Sequence, residues 1–252
     1  MRQAIGEPGD RGLLARGGRL KIAVLQFPGA NCDQDALHSL RDDLSIPAEY
    51  VWYEESSLSG FEGVFIPGGF SYGDYLRCGA IASRAPVMEE VKRFASEGKL
   101  VIGACNGFQI LCESGLLPGA LLLNIAEKFL CQDVFLKAEN RVSPWTEGVS
   151  GILRIPIAHR EGRYVCDLET LRKLEDHGRI AFRYVNKNGE PTEAANLNGS
   201  TANIAGILNE QGNVLGMMPH PERATNSNLG YLDGAQILAA FRTIAAKEPL
   251  RA

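Results

Sequence analysis

The segment KLVIGACNGFQIL, Lys99 to Leu111, constrains this chain more than any other. An apolar run ends in a cysteine with a glycine two residues to either side, Gly103 and Gly107, and helical spacing begins at once. This is the G-x-nucleophile-x-G elbow in its cysteine form, a strand turning sharply into a helix. A nucleophile held there has a strained backbone, so its neighbours must present no Cβ to sheet or helix. Its place at a helix N-terminus favours thiolate. A cysteine among apolar residues is ordinarily packing. Here strand, paired glycines and helix agree on a nucleophile at Cys105.

The rest of the chain supplies the scaffold such a turn requires. RLKIAVLQF (19–27), closed by Pro28-Gly29, reads as a buried strand. A helix over 33–44 follows, with Asn31 or Asp33 as N-cap, then strands at 48–53 and 63–69. A helix over 84–98, a strand at 99–104 and a helix over 106–114 come next. This alternation predicts βαβ units and a parallel sheet covered on both faces. The second half is strand-like at 127–137, 151–159, 180–186, 204–209 and 214–219, the last two flanking a hairpin at 210–213. A helix over about 233–247 closes the chain. The expected architecture is one doubly wound, mostly parallel α/β domain over 20–252, with an antiparallel annex. Residues 1–19, rich in Gly and Arg and without an apolar centre, read as a flexible arm rather than a secretory signal.

Composition excludes several classes. Of 252 residues, 45% are hydrophobic and 22% charged, enough for a substantial core. A net charge of −4, with scattered Lys and Arg, gives no general attraction to nucleic acid or anionic membrane. No apolar run approaches the roughly 18 residues that span a bilayer. Six cysteines without a CxxC indicate neither a zinc ribbon nor a thioredoxin-type site, and reduced thiols in the cytoplasm are expected. No P-loop and no GxGxxG follows a strand, so no metal or cofactor is expected in this chain.

A cysteine nucleophile gains from a base, and the base from a group that fixes its tautomer. Four histidines are available. His38 and His177 lie among polar residues and read as surface; His159 ends an apolar strand and could be core or site. His220 stands in MMPHPERA, where Pro219 and Pro221 forbid helix and favour extended geometry. Residues two apart then point the same way, which places Glu222 beside His220. Cys32 is the rival nucleophile, but it lacks the two-sided glycine frame and has Asp33 next to it, so it reads as structural or neighbouring the site. Cys78, Cys112, Cys131 and Cys166 read as packing. The N–H of Asn106 is placed to hold an oxyanion, and Gly68-Gly69 adds a second donor if its strand neighbours the elbow strand.

With these pieces assembled, the chain resembles the class I (triad) glutamine amidotransferases. Within that class it is similar to the small glutaminase subunits of phosphoribosylformylglycinamidine synthases. The likeness runs from about Lys21 to Ala246 through FPGANCDQD (27–35), PGGFSYGDYLRCGAIA (67–82), GACNGFQIL (103–111), GLLPGALLLN (115–124) and the long segment 182–224. Arg160 and the segment NIAEKFLCQ (124–132) depart from the family pattern. The resemblance implies a nucleophile at Cys105, a base at His220 and an orienting carboxylate at Glu222. It also implies glutamine binding at Gly68, Gly69, Phe70, Asn106 and Gln109. Further, it implies a large synthetase subunit that uses ATP and Mg, accepts the ammonia, and is accompanied by a small third subunit. A self-sufficient cysteine hydrolase and a catalytically silent subunit are the rival readings.

Overall fold

The computed structural model describes residues 20–140 and 142–246; the arm 1–19 and Lys247 lie outside the described residues. In chain order the elements are β1 (Ile22–Gln26), α1 (Asp33–His38), β2 (Ala48–Trp52), β3 (Gly63–Ile66), α2 (Val87–Ser96), β4 (Leu100–Ala104) and α3 (Asn106–Glu113). Then come β5 (Ala120–Leu122), β6 (Leu130–Ala138), α4 (Pro144–Glu147), β7 (Ile152–His159), β8 (Arg163–Val165) and α5 (Leu168–Asp176). The series ends with β9 (Ile180–Val185), β10 (Ile204–Leu208), β11 (Val214–Met217), α6 (Asp233–Leu238) and α7 (Arg242–Ala246).

Nine strands form one sheet in the order β2-β1-β3-β4-β11-β10-β9-β6-β7, and β5 pairs with β8 apart from it. The pairings from β2 to β11 are parallel, and those from β11 to β7 are antiparallel. The antiparallel annex is therefore a continuation of the main sheet, joined through the expected β10–β11 hairpin. Side-chain alternation sorts the core onto two faces. Ile22, Val24, Phe65 and Ile102 pack with Leu37, Leu40, Trp145, Ile237 and Phe241 on one side. Ala23, Leu25, Val64 and Val101 pack with Val91, Phe94, Phe108, Leu111 and Leu174 on the other. Every residue of β3 and β4 is buried, because those strands sit mid-sheet beneath helices on both faces. Toward the β7 edge, β6 exposes Cys131, so this cysteine is surface and not packing.

Several boundaries differ from the expected ones for local reasons. Cys32, not Asn31 or Asp33, takes the N-cap position of α1, and a π-helical turn, Ser39–Asp43, continues that helix. The helix expected from Arg84 starts at Val87, since Ala85 is extended ahead of Pro86. α5 was not expected; it is capped by Asp167, whose side chain accepts from the Thr170 N–H at 2.7 Å. The closing helix is interrupted by a 3₁₀ turn, Ala239–Phe241. Among the described residues no helix is long and apolar enough to cross a membrane.

The site depends on one feature of this topology. β3, β4 and β11 are adjacent and parallel, with Ile66 opposite Gly103 and Met217 opposite Ala104. Their carboxyl ends therefore release three loops side by side, where open α/β sheets place their chemistry.

Candidate active site

The middle loop carries Cys105, which holds φ 51° and ψ −107° and caps α3. A side chain other than glycine at positive φ is a strained conformation that its surroundings must enforce. Here the enforcement is visible. The Cys105 N–H donates to the Met217 carbonyl at 2.8 Å, fastening the turn to β11. An added Cβ on Gly107 would stand 2.0 Å from the Ile66 carbonyl oxygen, and one on Gly103 would stand 2.6 Å from the Gly107 backbone. The two glycines let α3 descend onto β3 and β4, which answers why the cysteine is framed by them.

The β11 loop carries the histidine. Its backbone N–H donates to the Pro156 carbonyl at 2.9 Å, and its Nδ1 lies 2.6 Å from Glu222 Oε1. Both side chains are buried, His220 at 1% and Glu222 at 3% exposure. The pairing was expected from an extended segment. Pro221–Arg223 instead forms a 3₁₀ turn, and it is this turn that brings the carboxylate to the ring. Burial alone would push the imidazolium down, but the Glu222 carboxylate and the Cys105 and Cys32 sulfurs outweigh it and hold His220 well above its ordinary range.

The third loop, after β3, meets the adjacency condition set by the sequence. Gly68 sits where a Cβ would lie 2.7 Å from His220 Cε1, 3.2 Å from Cys32 Sγ and 3.3 Å from Cys105 Cβ. All three side chains thus converge on the space that glycine leaves open. The Phe70 N–H is committed to the Gly29 carbonyl at 3.0 Å, and the Phe70 side chain is 46% exposed.

Asn106 and Gln109 tie these loops together. Asn106 accepts from the Ser71 N–H at 3.2 Å and donates to Gln109 Oε1 at 2.8 Å, and Gln109 donates onward to the Glu161 carbonyl at 2.6 Å. Gln109 therefore spends both ends of its amide inside the protein. His159 is buried, and burial together with the charge of His220 pushes it down to about 3, so it is neutral. His38 and His177 are exposed, as expected.

Sequence reasoning missed two participants. Asn124 accepts from the Gly162 N–H at 3.1 Å, lies 3.1 Å from His159 Nδ1 through the same oxygen, and donates to the His159 carbonyl at 2.9 Å; it pins the 159–162 loop. Arg223 directs Nη2 to Cys32 Sγ at 3.1 Å and Nε to Asp35 at 2.9 Å. Cys32, ranked as structural or neighbouring, is a neighbour of the site. Its sulfur and donor atoms of His220 and Glu222 lie within 4.8 Å of one another.

A strained cysteine at a strand-to-helix elbow, beside a buried histidine–carboxylate pair on the next strand, is the chemistry of a cysteine-dependent acyl-transfer enzyme. Comparison with known proteins narrows this. Residues 19–231 match the CobB/CobQ-like glutamine amidotransferase domain family. A phosphoribosylformylglycinamidine synthase subunit PurQ of Methanosarcina acetivorans is 52% identical over 224 residues, covering 88% of this chain and 97% of that protein. One from Thermomicrobium roseum is 53% identical over 227 residues, covering 89% and 96%. Among solved structures, a chain of PurLQS from Thermotoga maritima superposes with a TM-score of 0.77 at 42% identity, covering 89% of this chain and 98% of that one. The chain belongs to the glutamine amidotransferase family, and within it to the PurQ subunits of phosphoribosylformylglycinamidine synthase.

Proposed function

We infer that this chain is the glutaminase subunit of a phosphoribosylformylglycinamidine synthase in purine biosynthesis, with Cys105 as nucleophile, His220 as base and Glu222 as its orienting carboxylate. The observation that carries the glutaminase reading is the buried His220–Glu222 pair, 2.6 Å apart, facing the same Gly68 gap as Cys105. The choice of synthase rests on the PurQ relatives.

In this reading the Cys105 sulfur attacks the side-chain amide carbon of glutamine. The N–H groups of Asn106 and of the Gly68-Gly69 turn hold the oxyanion, and Phe70 flanks the substrate. Asn106 and Gln109 keep the surrounding loops in register. His220 protonates the departing nitrogen, which leaves as ammonia, and the γ-glutamyl thioester remains. The same histidine then takes a proton from water, which releases glutamate and restores the thiol. A large synthetase subunit, supplied with ATP and Mg, uses the ammonia to convert formylglycinamide ribonucleotide to the amidine. A small third subunit completes the cytoplasmic complex.

Purified chain should release glutamate from glutamine much faster when the synthetase subunit, ATP and formylglycinamide ribonucleotide are present. No release in either condition, with Cys105 reduced, would leave a silent subunit. The Glu222 role has its own pH signature. Glu222 raises His220, so in Glu222→Gln the imidazolium titrates at lower pH. The alkaline limb of the kcat/KM profile should move down, and turnover at neutral pH should fall roughly 10²–10⁴-fold. An unmoved alkaline limb would remove Glu222 from its assigned role.

A further inference from the structure

Cys32 is placed unlike a packing thiol. Its backbone N–H donates to the Gly68 carbonyl at 3.3 Å, so it is fixed to the active-site loop. Its sulfur faces Arg223 at 3.1 Å and Asn31 Oδ1 at 3.5 Å rather than apolar neighbours. The reaction described above gives it nothing to do. One further atom in the same pocket is also unused: Glu222 Oε2 is buried with no hydrogen-bond partner among the described residues. A buried polar atom left unpaired is costly, and one that persists needs an explanation.

We propose that Cys32, His220 and Glu222 form a capture site for a thiophilic divalent cation, zinc being the best fit, whose occupation stops glutamine hydrolysis. The donor set is one thiolate, one imidazole and one carboxylate, the mixed S, N, O set that zinc accepts. Zinc bonds of about 2.0–2.3 Å in a tetrahedron set ligand atoms roughly 3.3–3.8 Å apart. The three donors already lie within 4.8 Å of one another, so side-chain rotations of about 1 Å close the site. The fourth position opens toward the Gly68 gap, where a water or the Cys105 sulfur fits. On binding, the Cys32 thiol and the His220 imidazolium each give up a proton to solvent as the sulfur–metal and nitrogen–metal bonds form; nothing is oxidised or reduced. His220 binds through the Nδ1 lone pair, in place of its hydrogen bond to Glu222, so the ring can no longer take up the proton it passes from Cys105 to the leaving nitrogen. The cation also displaces Arg223 from the sulfur, and Asp35 retains that guanidinium. The ligands come from the N-cap of α1, the β11 loop and its 3₁₀ turn, which is why no spacing motif announces them.

The capture site is independent of the glutaminase reading; only its inhibitory effect rests on it, and the test separates the two. First, metal-free full-length chain carrying Cys105→Ala is titrated with Zn²⁺ against a chromogenic chelator. One equivalent should bind, and adding Cys32→Ser should weaken it at least roughly tenfold, since losing even an outer-shell partner costs roughly 10–100-fold. Second, Zn²⁺ should inhibit glutamate release by the native chain reversibly with chelator. Cys32→Ser should need at least roughly tenfold more Zn²⁺, and Mg²⁺, which prefers oxygen ligands, should not inhibit. Circular dichroism reports folding, and Cys32→Ala replaces the serine variant if that one is misfolded. Equal zinc affinity with and without Cys32 overturns the proposal. So does zinc binding that disappears with Cys105→Ala, which would make the Cys105–His220 pair the site.

Discussion

Cys105→Ala abolishes glutamine-dependent synthesis by the complex and leaves ammonia-dependent synthesis running. The variant removes the sulfur at an elbow whose geometry is set by backbone, through the Cys105 N–H to Met217 and the Gly103–Gly107 contact. Alanine fits that frame because it deletes only the sulfur, so the fold should be unchanged. Loss of a nucleophile from a covalent mechanism costs on the order of 10⁴–10⁶ in kcat. The synthetase half does not use the thiol, and ammonium salts replace the lost donor. The measurement is product formation with glutamine and with ammonium chloride, on the same reconstituted complex. Failure with both nitrogen sources would mean that Cys105 supports the assembly; success with both would place the nucleophile elsewhere, and Cys32 would be the next thiol to examine.

Gly107→Ala is expected to be a severe lesion outside the reacting groups. Its Cβ would stand 2.0 Å from the Ile66 carbonyl oxygen, a backbone atom of the mid-sheet strand β3 that cannot rotate aside. α3 must lift from the sheet, and overpacking of this kind costs about 3 kcal/mol or more. The lift also carries Cys105 and Asn106 away from His220, and a displacement of about 1 Å costs on the order of 10²-fold in rate. Gly148→Ala is the control: it meets open space at an ordinary φ of −87°, so stability should stay within about 0.5 kcal/mol. Denaturant unfolding and glutamine turnover read the two effects. Native stability and native turnover in Gly107→Ala would show that the glycine frame is not what holds the elbow.

What could be read from sequence was whatever local chemistry dictates. The apolar runs of β1, β3 and β4 gave their burial, and the glycine frame gave the elbow with its helix. His220 and Glu222 were paired correctly for a reason that was half right, since prolines do exclude helix but a 3₁₀ turn makes the contact. α5 escaped notice because its single fully buried residue is Leu174, and Leu168 is 72% exposed, so its apolar stripe is thin. β5 and β8, with three residues each, are too short for a periodic pattern. The setting of Cys32 was hidden by distance along the chain. Asp33 is its neighbour in sequence, yet Asp33 accepts from Gln26 at 2.6 Å, while Arg223 faces the sulfur. Asn124 was invisible for the same reason, as the loop it pins lies far downstream.

The strand order carries a consequence for how the chain comes into being on the ribosome. β11 is inserted between β4 and β10, both of which precede it in the chain. Until it arrives, two apolar edges of five residues each stay unpaired and stand open to other chains. Docking of β11 closes those edges and, in the same event, delivers the carbonyl that fastens the Cys105 turn and the loop that bears His220. Glutamine turnover and protection from aggregation therefore begin together, and a nascent or truncated chain lacking β11 has neither.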